Sequence, residues 1–551
     1  MMRHFRIATV AAMSAAAALL APIDAARAQC VSSGVDKICN NTGTLSGGAF
    51  GLSTAAAGFN FINNSGTISG TGFGLSAAST LGNILINSGL IIGDGFGTFG
   101  VSMASAGNNV IINSGTISGT GFGISLAAAG NNTLTSLPGS RVIGTISFAA
   151  TSNTFNFIGG NFNYTVLTAG NTTFNTFGAP FLLLGGSQIV VVDPTPFAMS
   201  DRLLMDFSRT VSSSIPMTDQ RTAIAAGPAA YADDDSVNKR IAEVFANTGA
   251  MADYAADAAV YKSPTAVHRD GMTVWARGFY GQRDQHGDVV LLPTFNRFYG
   301  GMVGGDWQVR PDLRLGAFVG GGHTSSQIDF NQGDTTSDLI FGGVYGRYLW
   351  GNSFLHGVVQ VGHSSADTVR NVSNNLLPNG LESAKASYDG WYVSPELTYG
   401  HHFALPSGDG AAYVLTPSLQ LRYLYARFDG YTESGVTAPL TVGARNVGDF
   451  EERGQLKFTR TISGRTEILA TSVYGGVLGV QRVGDNTIGA ALLGQAIPFA
   501  TPGKDNVWAG FGGAEAELRT GSIALYLAGE YYHFNDSANV ASTRGGIRVS
   551  F

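Results

Sequence analysis

The chain has 551 residues, too many for one ordinary core, so more than one folded unit is expected. Charged residues make up only 13%, about half the usual share, while glycine supplies 76 positions, about twice its usual share, a composition unlike that of a cytosolic enzyme. A net charge of −6 leaves no basic footprint, which argues against nucleic acid as a partner. At the N-terminus, Arg3 and Arg6 precede an apolar run from Ile7 to Leu20, and Ala26-Arg27-Ala28 forms a small-x-small cleavage site. Residues 1–28 therefore read as a secretory signal peptide. No later stretch reaches the ~18 to 20 uninterrupted apolar residues of a membrane helix, so any later span must be a barrel.

Cys30 and Cys39 follow directly. In an oxidising compartment two close cysteines pair, which predicts one disulfide closing a small loop; no further Cys or His lies near enough to suggest a metal site. From residue 40 the sequence repeats. "NTGTLSG" begins at Asn41, "NSGTISG" at Asn64, "NSGLIIG" at Asn87 and "NSGTISG" at Asn113, with steps of 23, 23 and 26 residues, and "PGSRVIG" from Pro138 is a decayed further copy. Each period holds short β-prone runs between Gly, Asn and Ser turns, which predicts a right-handed parallel β-solenoid, one coil per period, over residues 29–190. Stacking places Ile68, Ile91 and Ile117 inside the coils and makes a ladder of Asn41, Asn64, Asn87 and Asn113, while Gly66, Gly89 and Gly115 are expected to supply turns with positive φ. The only charged residues between Gln29 and Val190 are Asp36, Lys37, Asp94 and Arg141, with no His or Glu, so acid-base, nucleophilic and metal chemistry have little to draw on. "GTGFG" lacks the spacing and context of a dinucleotide loop, and the lone Asp94 does not make calcium-binding repeats.

Residues 191–265 read as a helical linker. Ser200 is a candidate N-cap for a helix with Leu203, Leu204, Phe207 and Val211 on one face, closed by Pro216. A second candidate helix follows Ser236, with Val237, Ile241, Val244 and Phe245 in one stripe. From residue 266 to Phe551 the pattern becomes about ten-residue alternating runs, about twelve in all, separated by short turns such as Pro311-Asp312 and Gly351-Asn352 and by longer loops: a transmembrane antiparallel β-barrel. Tyr299, Trp307, Tyr345, Trp350, Tyr392 and Tyr531 are candidate interface aromatics, and His323, His363 and His533 read as loop or girdle residues rather than ligands. Alternation puts Ile547, Val549 and Phe551 on one face and Arg548 and Ser550 on the other.

Signal peptide, low-charge solenoid, helical linker and a C-terminal barrel ending in an aromatic residue together resemble the type V autotransporters of Gram-negative bacteria. "DPTPFAMSDRLLMDF" at Asp193 to Phe207 resembles the segment before the translocator in that family, and "VWARGFYGQ" from Val274 resembles its first strand. The resemblance implies that the barrel inserts in outer-membrane lipid, that the passenger leaves through its pore with a helix remaining in the lumen, and that Ile547, Val549 and Phe551 form the signal read by the barrel assembly machinery. Arg277, Glu396, Glu452, Arg453 and Glu515 are candidates to hold that helix, although inward barrel positions are polar in any case. Some members cut themselves at an Asn pair in the pore helix; none lies between Asp193 and Val267, so the passenger is expected to stay attached. The sequence thus predicts an outer-membrane autotransporter with an adhesive or structural passenger, an unknown surface ligand, no cofactor and no catalytic site. A surface enzyme and a porin-like channel are the alternatives.

Overall fold

The computed structural model describes residues 29–149, 152–168, 170–216, 271–288, 290–407, 410–484 and 486–551. The expected signal peptide (residues 1–28) and the second candidate helix lie outside the described residues. The fold is all-β apart from one helix: an N-terminal parallel β-solenoid followed by a closed antiparallel barrel.

In the solenoid each period gives short strands that pair in parallel with the same positions of the next coil, so Phe59–Asn64 lies on Gly82–Asn87, which lies on Asn108–Asn113. Strand alternation sends every second side chain inward. Ile68, Ile91, Ile117 and Val142 stack there at 0% exposure. The Asn41 side-chain amide donates to Asn64 Oδ1 (2.7 Å), Asn64 to Asn87 (2.7 Å) and Asn87 to Asn113 (2.8 Å). A second ladder that the repeats did not advertise runs through Asn60, Asn83, Asn109, Asn132 and Asn153, with steps of 2.8 to 3.1 Å. Gly66, Gly89 and Gly115 are not among the positive-φ glycines. What demands glycine there is the spacing between coils: a Cβ on Gly89 would lie 2.0 Å from the carbonyl oxygen of Gly66. At the N-terminal end a hairpin, Gln29–Ser33 against Asp36–Asn41, extends one sheet antiparallel and is closed by the Cys30–Cys39 disulfide.

The barrel has twelve wall strands from Met272–Gln285 to Ala538–Ser550, closed by pairing the first with the last, Thr273 opposite Ser550 and Gln285 opposite Ala538. At one end the connections are turns of two or three residues apart from residues 402–411; the other end has connections of three to eight residues and the two long ones, residues 429–444 and 483–505, which fold back as a small four-stranded sheet. No described helix is long and apolar enough to cross a membrane. Tyr299, Trp307, Trp350 and Tyr531 face outward and are exposed. Tyr345 and Tyr392 do not belong with them: they sit on the opposite parity and point into the lumen, where the Trp275 indole donates to the Tyr345 hydroxyl (2.8 Å) and that hydroxyl donates to Asp306 (2.6 Å). At the C-terminus Ile547 and Phe551 are exposed on the outer wall, Val549 is half-buried on the same parity, and Arg548 turns inward to pair with Glu517.

Candidate functional site: a helix in the barrel lumen

The only described helix, α1 (Thr195–Ser214), connects the last solenoid strands to the inside of the barrel. It begins ahead of the expected Ser200 cap because the preceding residues organise the start: Pro194 is the N-cap, Pro196 occupies the first turn, and Asp193 Oδ1 accepts from the Thr195 backbone N–H (3.0 Å) and hydroxyl (2.6 Å). Ser200 lies inside the helix, its hydroxyl donating to the Phe197 carbonyl (3.0 Å). Asp193 is buried without a partner for Oδ2, and burial pushes its carboxyl up to about 6, against the opposing pull of the Thr195 hydrogen bonds and the Arg370 charge.

Twenty residues at ~1.5 Å rise make α1 about 30 Å long, enough to run from the long-loop end deep into the pore. At its entrance the Leu292 backbone N–H donates to the Thr195 hydroxyl (3.0 Å), and Arg445 ion-pairs with Asp201 (2.7 Å). Further down, Asp206 accepts from Arg209 (2.7 Å) and from Arg283 of the wall (3.0 Å), and Arg209 and Arg422 converge on Glu451, each at 2.7 Å. Arg422 also donates to the Ser208 hydroxyl (2.8 Å), and Gln360 donates to the Ser208 carbonyl and the Ser212 hydroxyl, both at 2.9 Å. These side chains are almost wholly buried, so each charge depends on its partner. Apolar contacts fix the rotation of the helix: Phe207 packs edge-on against Phe279 and Phe341. It fits because Gly322 has no side chain; a Cβ there would lie 2.6 Å from the Phe207 ring.

Of the five wall residues singled out from sequence, none ion-pairs with α1 among the described contacts. Arg277 faces the lumen and lies over the Tyr526 ring, 3.8 Å from its centroid. Glu396 is on the inward register beside Arg422 and hydrogen-bonds the Ser212 side chain of α1. Arg453 pairs with Glu530 (3.0 Å), and Glu515 pairs with Lys457. Glu452 is exposed on the outer wall, opposite Leu421, because its neighbour Glu451 takes the inward position. Adjacent residues of a strand face opposite sides, so the parity of Arg453 already excluded Glu452 and selected Glu451.

The solenoid sits on the long-loop end. Phe162–Asn163 pairs in parallel with Ser373–Asn374, the top of the wall strand Ser353–Asn374. Gln332 accepts from the Asn161 backbone, Asn375 accepts from the Thr165 backbone, and Arg370 pairs with Glu433. Val190, Val192 and Phe197 complete a small core with Leu440, Val442 and Leu492 of the folded-back loops. The first barrel strand, by contrast, starts at Met272 at the short-turn end, where the Phe551 backbone N–H donates to the Met272 carbonyl (2.9 Å). The solenoid therefore lies at one mouth of the pore, the barrel begins at the other, and α1 lies in the lumen between them. Among the described residues there is no group of three or more His, Cys, Asp or Glu able to hold a metal.

The family model for the autotransporter β-domain matches residues 274–530. No curated protein matches the chain. Solved structures similar to it include the translocator domain of the autotransporter NalP from Neisseria meningitidis, 15% identical over 52% of this chain and 90% of that one with a TM-score of 0.40. Two others are the β-domain of the Bordetella autotransporter BrkA (19%, 51% and 100%, TM-score 0.39) and the transport unit of the autotransporter AIDA-I from Escherichia coli (16%, 53% and 94%, TM-score 0.36). The matched residues make up most of the barrel, which belongs to the autotransporter β-domain family.

Proposed function

We propose that the barrel passes its own N-terminal solenoid to the cell surface and keeps it there, uncut, as an adhesive or structural element without catalytic activity. The observation that carries this reading is the path of the chain: solenoid at the long-loop mouth, α1 in the lumen, barrel start at the short-turn mouth. In outer-membrane barrels short turns face the periplasm and long loops the exterior. A passenger with four charged residues in 162 can pass a narrow pore with few ions to desolvate, and stacking of coils outside supplies free energy for the rest to follow. Outer-membrane lipid contacts the apolar wall, and the exposed Ile547 and Phe551 with Val549 offer the assembly machinery an apolar terminal strand. The filled lumen speaks against a porin-like channel, and the scarcity of His and Glu in the passenger speaks against a surface enzyme.

Protease added to intact cells tests this. The reading expects loss of the segment from Gln29 to Val190 with a protected barrel. Protection of both would overturn it, and two separate bands before protease treatment would overturn attachment.

A further inference from the structure

One face of the solenoid is left bare in a patterned way. On the sheet built from Asp36–Asn41, Phe59–Asn64, Gly82–Asn87 and Asn108–Asn113, the outward side chains in register are Ile38, Phe61, Ile84 and Val110, extended by Val31 opposite Ile38. Ile86 and Ile112 form a short second column beside Ile84 and Val110, which continues in the distal coils as Asn63 and Asn40. Val31, Phe61 and Ile86 are 59%, 38% and 37% exposed. Continued toward the barrel, the same columns change to Thr133, Thr154 and Thr135. The strand pattern does not require this, since outward positions of a solvated sheet are ordinarily polar.

We infer that these columns are a contact surface for a second copy of this chain, formed side by side between distal coils of two solenoids anchored in the same membrane. Four features select that occupant. None of the charged residues Asp36, Lys37, Asp94 and Arg141 occupies either column, so a charged partner finds no complement. The side chains repeat at the ~4.8 Å strand spacing, which another stacked sheet matches and an irregular surface does not. Two copies in one membrane are related by a two-fold along its normal, which sets equivalent coils at equal height and makes the contact self-complementary. The barrels and their lipid hold the bases apart, which accords with an apolar column in the distal coils and threonine near the barrel.

The apolar stripe is about 20 Å tall, one residue wide in the distal coils and two residues wide over the Ile84 and Val110 coils, on the order of 300 Å² per copy, less than half the ~800 Å² per partner of a standard stable interface. Such a contact is too small to hold dilute chains together, and membrane confinement raises the effective concentration enough to populate it. The inference rests on the proposed surface display, and the experiment separates the two. Full-length Ile84→Cys, Thr154→Cys and Ser102→Cys variants are expressed in the outer membrane and treated on intact cells with a bis-maleimide, in membrane-impermeant and permeant forms. Ile84→Cys is expected to give at least tenfold more covalent dimer than Thr154→Cys, in the same column nearer the barrel, or Ser102→Cys, on a neighbouring face. Adding Phe61→Asp to Ile84→Cys should return the yield to control level while the heat-modifiable gel mobility still reports a folded barrel. Equal yields at all three positions, no dimer at Ile84→Cys, or an adduct to a different protein would overturn the contact. Dimer with the permeant reagent alone would support the contact and overturn surface display.

Discussion

Glu451 shows how much rests on single side chains in the lumen. It lies between Arg209 of the helix and Arg422 of the wall, and both guanidiniums are buried. Removing one member of a buried ionic group costs ~3–5 kcal/mol because the others remain desolvated and uncompensated. Glu451→Gln is therefore expected to lower the temperature at which the heat-modifiable mobility shift occurs, whereas Glu452→Gln on the outer wall should leave it unchanged. Composition and alternation announced a polar lumen in the sequence, but not which polar groups meet the helix. That depends on the register of α1 against the wall, which no local pattern encodes.

A second residue sets a pH dependence. Asp193 is buried where α1 leaves the solenoid, with Arg370 and its partner Glu433 as the nearby charges, and its pKa of about 6 lies above the ordinary carboxylate value of 3.8. Because the folded-state pKa is raised, the stabilising contribution is complete below pH ~4 and is lost as pH rises through about 6, ~3 kcal/mol in all. The junction should resist protease better at pH 4.5 than at pH 7. Asp193→Asn keeps the Oδ1 acceptor for Thr195 and should remove that difference.

At the scale of elements, the solenoid was legible from its repeats because every coil must present the same groups at the same place. The Asn41 ladder and the isoleucine stack follow from that rule. The second ladder was hidden because its members sit in strands whose flanking residues vary, from "FNFIN" to "GNILIN" to "NNVII". The glycine reading named the right residues with the wrong cause: contact between neighbouring coils, not backbone sign, excludes a side chain. Gly89→Ala should therefore disrupt its coil as strongly as a larger residue would, seen as loss of the protease-resistant solenoid fragment. In the barrel, Gly322→Ala should push Phe207 off its seat and loosen α1 while the wall still closes; faster proteolysis at the junction with unchanged strand content by circular dichroism would show it.

For the whole molecule, the lumen filling predicts electrical behaviour. Full-length protein in a planar bilayer should conduct at least tenfold less than a chain beginning at Gly271, which lacks α1, and equal conductance would mean that the helix does not obstruct the pore. The sequence carried the order of solenoid, helix and barrel, because each has its own periodicity. It did not carry how solenoid and barrel meet, because the contacts at that junction link residues roughly 170 to 270 positions apart.

The two hydrogen-bonded pairs joining Phe162–Asn163 to Ser373–Asn374 have a mechanical meaning. They make the passenger's last sheet continuous with the wall strand Ser353–Asn374, so a pull on the solenoid tip is not delivered first to a slack tether. Part of the load enters the barrel wall sideways through that strand, and part runs down the axis of α1 to Arg283, Arg422 and Glu451. A load on the solenoid is thus shared between the barrel wall and the helix.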